Sequence, residues 1–351
     1  MRFLRMLARL LLLPFSLLYG LAMEVRNILF DLKILPVYAS RLPVISVGNL
    51  VAGGTGKTPF TIWLAAQLAK RYRVAIVSRG YGRESKGLQI VAQNGSILLS
   101  AEQAGDEPLL MAKKVPAATV LVSEKRRSAV QWIEQHQAAE VIVLDDGFQH
   151  RYVQRDVDIV LFKKPQQFWR NFMLPTGTWR EFPHRVSRAH YVGLAAQGKL
   201  PFIPLRKQFH VQTMSGPLVD LHLQACLAPE DLKDVPVAAF AGIADPQSFF
   251  EALAKMNMAV KRTFAFGDHH RFTENDLLRM GNICRQEKLK YLICTEKDLM
   301  KISEIIDQNG DKNLQGIKIV ALAHALAVQE EFLIKAIEKT IDKKLKSYYI
   351  S

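Results

Sequence analysis

Apolar positions along this chain follow two rhythms. Short runs rich in β-branched residues recur at 44–47, 74–77, 140–144, 237–240, 260–266 and 291–294. They show little alternation, which predicts strands covered on both faces, as in a parallel sheet. Between them lie amphipathic stretches. Phe60, Trp63, Leu64 and Leu68 share one helical face and predict a helix ending near Tyr72. Further helices are expected from about Pro246, from about Thr273, where Thr273 and Asp276 match a capping pair, and in a Lys-rich segment at 330–346. Strand and helix alternate, so the expected class is α/β. Two β-like runs, 190–196 and 206–213, flank a Pro-containing stretch at 198–204 and read as a strand pair linking two domains.

The first 35 residues keep neither rhythm. Arg2, Arg5 and Arg9 stand at helical intervals before an uncharged stretch at 10–23. At 1.5 Å per residue that stretch covers about 21 Å, short of the ~30 Å hydrocarbon core. Pro14 and Gly20 weaken it further as a straight span. The pattern also suits a signal peptide, but no small-x-small cleavage site follows, and charge resumes at Glu24, Arg26 and Asp31. An interfacial helix is expected, with a single span as the alternative. Phe3, Phe15, Tyr19 and Phe30 suit the headgroup boundary.

Composition narrows the partners. The 351 residues suggest two domains, and an apolar content of 49% describes a folded chain. Lys and Arg number 47 against 33 Asp and Glu, a net charge of +14. Such a field favours polyanions: nucleic acid, anionic membrane or a phosphorylated substrate. Cys226, Cys284 and Cys294 are odd in number and far apart, which excludes a disulfide framework and a cysteine zinc site.

After the run at 44–47 comes GGTGKT, Gly53 to Thr58. Strand, glycine loop and helix in this order make a Walker A match credible. Gly53, Gly54 and Gly56 would let backbone N–H groups, with that of Thr55, close on phosphate oxygens at a helix N-terminus. Lys57 would neutralise the β- and γ-phosphates, and the Thr58 hydroxyl would complete a Mg²⁺ shell. The loop is a variant: Val51 stands where the usual pattern has glycine, and the nearest upstream glycine is Gly48. Such a site needs a carboxylate at a second strand end. Asp145 and Asp146 follow 140–144 directly, and adjacent aspartates there are costly without a cation.

Other clusters leave several readings open. Asp106 and Glu107 in GDEP fit helix-start acids as well as chemistry. Arg79 and Arg83 in SRGYGR would fork onto phosphate or face solvent. Asp268, His269 and His270 would serve as a structural pair or in an acid–base or substrate role, zinc being disfavoured for sequential histidines. Thr295-Glu296-Lys297-Asp298 would cap a helix or belong to a site. Lys339, Lys343, Lys344 and Lys346 read as a solvated face.

Collected in order, these segments resemble the tetraacyldisaccharide 4′-kinase family, the lipid A 4′-kinases. The matching segments are GNLVAGGTGKTP (48–59), SRGYGR (78–83), GDEP (105–108), DDGFQH (145–150), LPTGTWRE (174–181), AGIADP (241–246), FGDHHRF (266–272) and CTEKD (294–298). Gly267 and Cys294 depart from the usual proline and threonine, while the family accommodates Val51. The resemblance implies transfer of the γ-phosphoryl group of ATP, with Mg²⁺, to the 4′-hydroxyl of a tetraacylated glucosamine disaccharide 1-phosphate. It implies two Rossmann-like α/β/α lobes of P-loop NTPase type, with the site in the cleft. The corresponding divisions are an N-terminal membrane-associated helix at 1–35, a kinase lobe at 36–189, a two-stranded linker at 190–215 and a second lobe at 216–351. The last helix would pack back on the first lobe.

Residue by residue, the resemblance makes Lys57 and Thr58 phosphate and metal binders. It places Glu107, Asp145 and Asp146 around the metal, with Gln149 and His150 beside it. Asp106 becomes the acceptor of the sugar hydroxyl proton, oriented by His269; Arg79, Arg83 and Asp268 support. The expected place is the cytoplasmic face of the inner membrane, held through the N-terminal helix, with an acylated disaccharide phospholipid as partner and no nucleic acid or obligatory protein partner. The rival reading is a P-loop NTP-driven switch or metallochaperone. No Asn-Lys-x-Asp guanine-reading sequence supports it, Thr295 to Asp298 being the nearest approach.

Overall fold

The computed structural model describes residues 2–163, 171–195, 198–268, 270–309, 314, 316–328 and 331–350. The chain begins with α1 (Arg2–Asp31), β1 (Val44–Gly48), α2 (Lys57–Leu68), β2 (Val74–Ser78), β3 (Gln89–Gln93), β4 (Ser96–Ile97), α3 (Ala101–Ala104) and α4 (Asp106–Lys114). It continues through β5 (Thr119–Val122), α5 (Arg126–Gln135), β6 (Val141–Asp145), β7 (Val157–Phe162), β8 (Tyr191–Leu194), β9 (Gln208–Val219) and β10 (Ala225–Leu227). It ends with β11 (Pro236–Ala241), α6 (Pro246–Lys255), β12 (Ala259–Ala265), α7 (Glu274–Gln286), β13 (Tyr291–Thr295), α8 (Glu296–Asn309), β14 (Lys318–Val328) and α9 (Glu331–Ile350).

These elements form two compact units. The first holds Met1–Arg79, Ala117–Thr213 and Leu326–Ser351; the second holds Gly80–Pro116 and Met214–Ala325. In the first, strands run in the order β9-β8-β7-β1-β6-β2-β5, each parallel to its neighbours. Strands β1, β2, β6 and β7 are buried at every position, as their unalternating pattern predicts. The chain crosses from β1 to β2 over β6, then returns to place β7 on the other side of β1. Strand order therefore reverses at β1, and the C-terminal ends of strands at such a point form a natural ligand crevice. In the second unit, β12-β11-β13-β14 form a parallel array, with the antiparallel hairpin β3–β4 beside α3 and α4 in sequence.

The structure differs from the expected boundaries in two respects. Residues 80–116, expected in the first lobe, belong to the second unit, because α4 packs on α8 and Lys114 pairs with Glu296. The runs expected as a two-stranded linker continue the first sheet. There β8 lies parallel to β7 from Ile159↔Tyr191 to Phe162↔Leu194, and β9 lies parallel to β8. Val192, Gly193, Leu194, Gln208 and Phe209 are buried, which a free-standing ribbon would not allow. Helix α9 contacts α2 within the first unit; Asp342 accepts from Arg71 at 2.9 Å and from the Tyr72 hydroxyl at 2.7 Å. Lys344, expected in solvent, pairs with Asp156 at 2.7 Å.

Helix α1 is amphipathic in the inverse sense. Its exposed face carries Leu10, Leu11, Phe15, Leu17, Leu18, Leu21 and Ile28, whereas Ser16, Gly20, Asn27 and Phe30 are buried. The buried positions recur at helical spacing and are tied to the first unit by polar contacts. The Ser16 hydroxyl donates to Thr176 Oγ1 at 2.6 Å, Tyr19 to the Arg180 carbonyl at 3.2 Å, and Asn27 to Glu181 at 2.9 Å. Arg185 bridges Glu24 at 3.1 Å and Asp31 at 2.6 Å. The hydrogen bonds of Arg185 hold the Glu24 carboxyl below its ordinary value, against a burial effect that raises it.

Candidate active site

At the C-terminal end of β1 the chain leaves the sheet as Asn49 to Gly56. Gly56 adopts the left-handed conformation (φ 80°) and caps α2, and Gly53 stands at φ 107°. A Cβ built on Gly53, Gly54 or Gly56 would meet nothing within 4 Å, so the loop faces open space. The buried Asn49 amide donates to Thr55 Oγ1 at 2.9 Å and fixes the loop's curvature. Its root is braced by the segment before Glu181: Ala52 N–H donates to the Thr178 carbonyl at 2.6 Å and Arg180 N–H to the Leu50 carbonyl at 2.8 Å. Val51 bridges Trp179 and lies in a core cluster with Phe148 and Trp179, which explains an apolar residue at this position. Gly48 is a packing glycine, since its Cβ would fall 2.5 Å from Phe148 Cβ.

The aspartates sit beside this loop. Val47 of β1 and Asp145 of β6 are register partners. Asp145 is 3% exposed and accepts from the Thr61 hydroxyl at 3.1 Å and the Ser78 hydroxyl at 3.2 Å. Asp146, in a left-handed conformation (φ 48°), turns toward cations. Lys57 Nζ is 3.6 Å from Oδ1, and Arg180 Nη1 donates to both oxygens at 3.0 and 2.9 Å. Burial raises the Asp146 carboxyl, but Lys57, Arg180 and Arg126 outweigh it and hold the group below its ordinary value. Arg126, at the start of α5, is 5% exposed; burial pulls its guanidinium down while Asp145 and Asp146 oppose that effect. Thr58 is buried on the first turn of α2.

Gln149 and His150 buttress this arrangement. Gln149 donates to the Asn49 carbonyl at 2.8 Å, and its own carbonyl accepts from Arg26 of α1 at 2.9 Å. His150 is pushed down to about 4 by burial and then by Arg126, Arg155, Arg26 and Arg79, so its ring is neutral at pH 7. Arg79 is exposed.

The remaining expected residues lie in the second unit. Asp106 and Glu107 open α4 after Gly105 (φ 91°), which supplies no side-chain cap. Glu107 pairs with Lys297, and Asp106 Oδ2 lies 3.7 Å from Lys301 Nζ. Arg83 donates to Ser85 at 3.1 Å and to the Gly87 carbonyl at 2.6 Å, bracing its own loop. Asp268 is exposed, while His270 contacts Asp276 at 3.2 Å in the capping box of α7. His269 lies outside the described residues. Among the described residues no cluster of three His, Cys, Asp or Glu side chains is placed to hold a metal. Thr58, Asp145 and Asp146 do supply the hard oxygen donors that suit Mg²⁺.

The family model LpxK, described as tetraacyldisaccharide-1-P 4′-kinase, matches residues 8–342. The chain belongs to this family. The tetraacyldisaccharide 4′-kinase of Chlorobium luteolum is 39% identical over 307 residues, covering 83% of this chain and 86% of the relative. That of Aquifex aeolicus is 37% identical over 301 residues, covering 83% and 89%. The crystal structure of LpxK from Aquifex aeolicus in complex with ATP superposes with a TM-score of 0.80 at 35% identity, covering 95% of this chain and 99% of that one.

Within the kinase family frame, the first unit gathers Lys57, Thr58, Asp145 and Asp146 around one loop. It adds Arg126 and Arg180, to which the sequence reading assigned no role. Arg180 lay inside a quoted motif, LPTGTWRE. Arg126 had a fainter signal, a basic pair, Arg126-Arg127, at the start of a helix directly after a strand.

Proposed function

We propose that the chain transfers the γ-phosphoryl group of ATP to the 4′-hydroxyl of a tetraacylated glucosamine disaccharide 1-phosphate. The observation that carries this reading is the meeting of Lys57 with Asp146 beside an open glycine loop at the head of α2. The left-handed Gly56, the helix N-terminus and the carboxylates of the neighbouring strand support a P-loop NTPase type for the first unit. At 3.6 Å the Lys57–Asp146 contact is charge pairing without a hydrogen bond, so the ammonium can turn to a phosphate while Arg180 still neutralises Asp146. Mg²⁺, held by Thr58, Asp145 and Asp146, would supply charge neutralisation between the β- and γ-phosphates. Glu107 is assigned to the metal by family resemblance alone; within the second unit its carboxylate pairs with Lys297.

In the transfer, a lone pair of the 4′-oxygen forms the new bond to phosphorus. The hydroxyl proton passes to Asp106, and the bond to the β-phosphate oxygen breaks with its electron pair leaving on ADP. His269 would orient Asp106. Lys57, Arg126 and Arg180 face the charge that develops on phosphate oxygens; such fixed charges in a water-poor site usually carry much of the rate. Helix α1 would hold the protein on the inner membrane, on the cytoplasmic side where ATP is available, its apolar face in the lipid. The test is incubation of the purified protein with γ-labelled ATP and lipid A precursor in mixed micelles. Label on the lipid's 4′-position supports the reading, and ATP turnover indifferent to lipid would oppose it.

A further inference from the structure

The Thr295-Glu296-Lys297-Asp298 segment has no part in the chemistry so far. It starts α8 in the second unit, where Asp298, 0% exposed, collects hydrogen bonds. Its Oδ2 accepts from Gly242 N–H at 3.0 Å and from the Thr295 hydroxyl at 2.7 Å, and its Oδ1 accepts from Lys301 at 3.0 Å. One turn along, Lys301 is itself 9% exposed. A buried ammonium is costly unless fully partnered. Lys301 donates to the Gly242 carbonyl at 3.1 Å and to Asp298, and its Nζ lies 5.8 Å from the centre of the Phe272 ring. Its remaining direction faces Asp106, 3.7 Å away.

We propose that Lys301 is a positioning residue: anchored by Asp298 and Gly242, it fixes the carboxylate of Asp106 for proton acceptance. The proposal rests on the assignment of Asp106 as that acceptor. Asp106 is the first residue of α4, and Gly105 ahead of it gives no side-chain cap. Lys297 and Lys301, one helical turn apart, face the consecutive acids Glu107 and Asp106. The two pairs are unequal. Lys297 and Glu107 are about one-third exposed, and such a pair contributes little. Lys301 is buried and held by Asp298 and the Gly242 carbonyl, so its ammonium is fixed in place 3.7 Å from Asp106. An ammonium at 3.7 Å is too far to hydrogen-bond, yet it sets the angle at which the carboxylate stands, and small misplacements of a reacting group are costly in rate.

The experiment is a mutant cycle on the full-length protein in lipid micelles. Lys301→Met is made with native Asp106 and with Asp106→Asn, whose residual turnover is read with labelled ATP. Because Lys301→Met strands the buried Asp298, the pair Asp298→Asn/Lys301→Met is made in both backgrounds as a folding control. With native Asp106, both variants should lower kcat by about tenfold or more while KM for ATP stays within about twofold. The paired variant should melt like the native protein. With Asp106→Asn, neither should cost more than about twofold, since the group they position is gone. Equal losses in both backgrounds, or recovery of turnover in the paired variant, would overturn the proposal. Native turnover in Asp106→Asn alone would instead overturn the assignment of Asp106, and with it the basis of the proposal.

Discussion

Two glycines six positions apart, Gly48 and Gly54, should fail in opposite ways when changed to alanine. At Gly48 the new Cβ would lie 2.5 Å from Phe148 Cβ, 2.8 Å from its backbone nitrogen and 3.2 Å from its Cα. Carbon atoms prefer about 3.5–4.0 Å, so the backbone of Phe148 must retreat by about 1 Å. No rotamer change relieves a clash with backbone. Phe148 is fully buried, with Arg188 4.4 Å above its ring, so the retreat disturbs a filled core. Overpacking of this kind costs about 1–3 kcal/mol, or about 2–10 °C in Tm for a domain of this size. Asp145 and Asp146 lie just before Phe148, so turnover should fall as well. At Gly54 the Cβ meets nothing, and the residue is absent from the left-handed set, so Gly54→Ala should fold within about 0.5 kcal/mol of native. The methyl would occupy the space assigned to phosphate. In thermal melts, ATP at 100 times its Kd should stabilise the native protein by about 2.7 kcal/mol and Gly54→Ala scarcely at all. An unchanged ATP shift in Gly54→Ala would refute the cradle, and an unchanged melt in Gly48→Ala would refute the packing argument.

Further outcomes are expected. Asp106→Ala should lower turnover by about tenfold or more while ATP binding survives; unchanged turnover would remove Asp106 from the mechanism. His150 is depressed to about 4 from 6.5, so the unfolded chain binds the extra proton in that window. Native stability should therefore be undiminished above about pH 6.5 and fall by up to about 3 kcal/mol toward pH 4, a slope that His150→Gln should flatten in denaturant titrations. Glu24, depressed below 4.5, contributes stability present above that value and lost as pH falls through its folded pKa. Protection factors of α1 amides, corrected for the intrinsic exchange rate at each pH, should fall below about pH 4.5, and Glu24→Gln should show weakened protection already at pH 7; protection indifferent to both changes would contradict the role of Arg185 in holding the helix.

What the sequence made legible was local. The run at 44–47, three glycines and an amphipathic stretch specify β1, the loop and α2, because each choice depends on neighbours a few residues away. The Thr273–Asp276 cap was readable for the same reason, and it forms as a capping box. An equally local signal, Asn94-Gly95, marks the β3–β4 hairpin; both residues stand at positive φ, 51° and 79°. The non-local pieces were not legible. Arg180 acquires meaning only when residues 50–52 meet 178–180, more than 120 positions away. Residues 80–116 join the second unit through pairings of α4 with α8, and neither partner's sequence names the other. Lys301 belongs to no motif; its importance follows from burial beside Asp298, the last residue of CTEKD.

If α1 meets a bilayer, as proposed, its inverse amphipathicity sets the cost of each way of doing so. Its face toward the first unit is polar because it is hydrogen-bonded there; Asn27 and Glu181 are each 0% exposed and bonded at 2.9 Å. Breaking a buried charged contact of this kind costs about 3–5 kcal/mol, and carrying Glu24, Arg26 or Asp31 to the bilayer centre adds about 2.5–3.5 kcal/mol for each. Crossing the membrane would require both. Lying along it requires neither, and sinks the nine exposed large apolar side chains from Leu10 to Ile28 on the opposite face into lipid. At about 1.5 kcal/mol or more for each, that gain is on the order of 10 kcal/mol before losses of mobility. On these costs the proposed placement would be a helix lying in the interface, with its docked face toward the body that carries Asp146 and Lys57. A lipid kinase gains from this placement, because the acceptor's acyl chains need not leave the bilayer for its sugar to be phosphorylated.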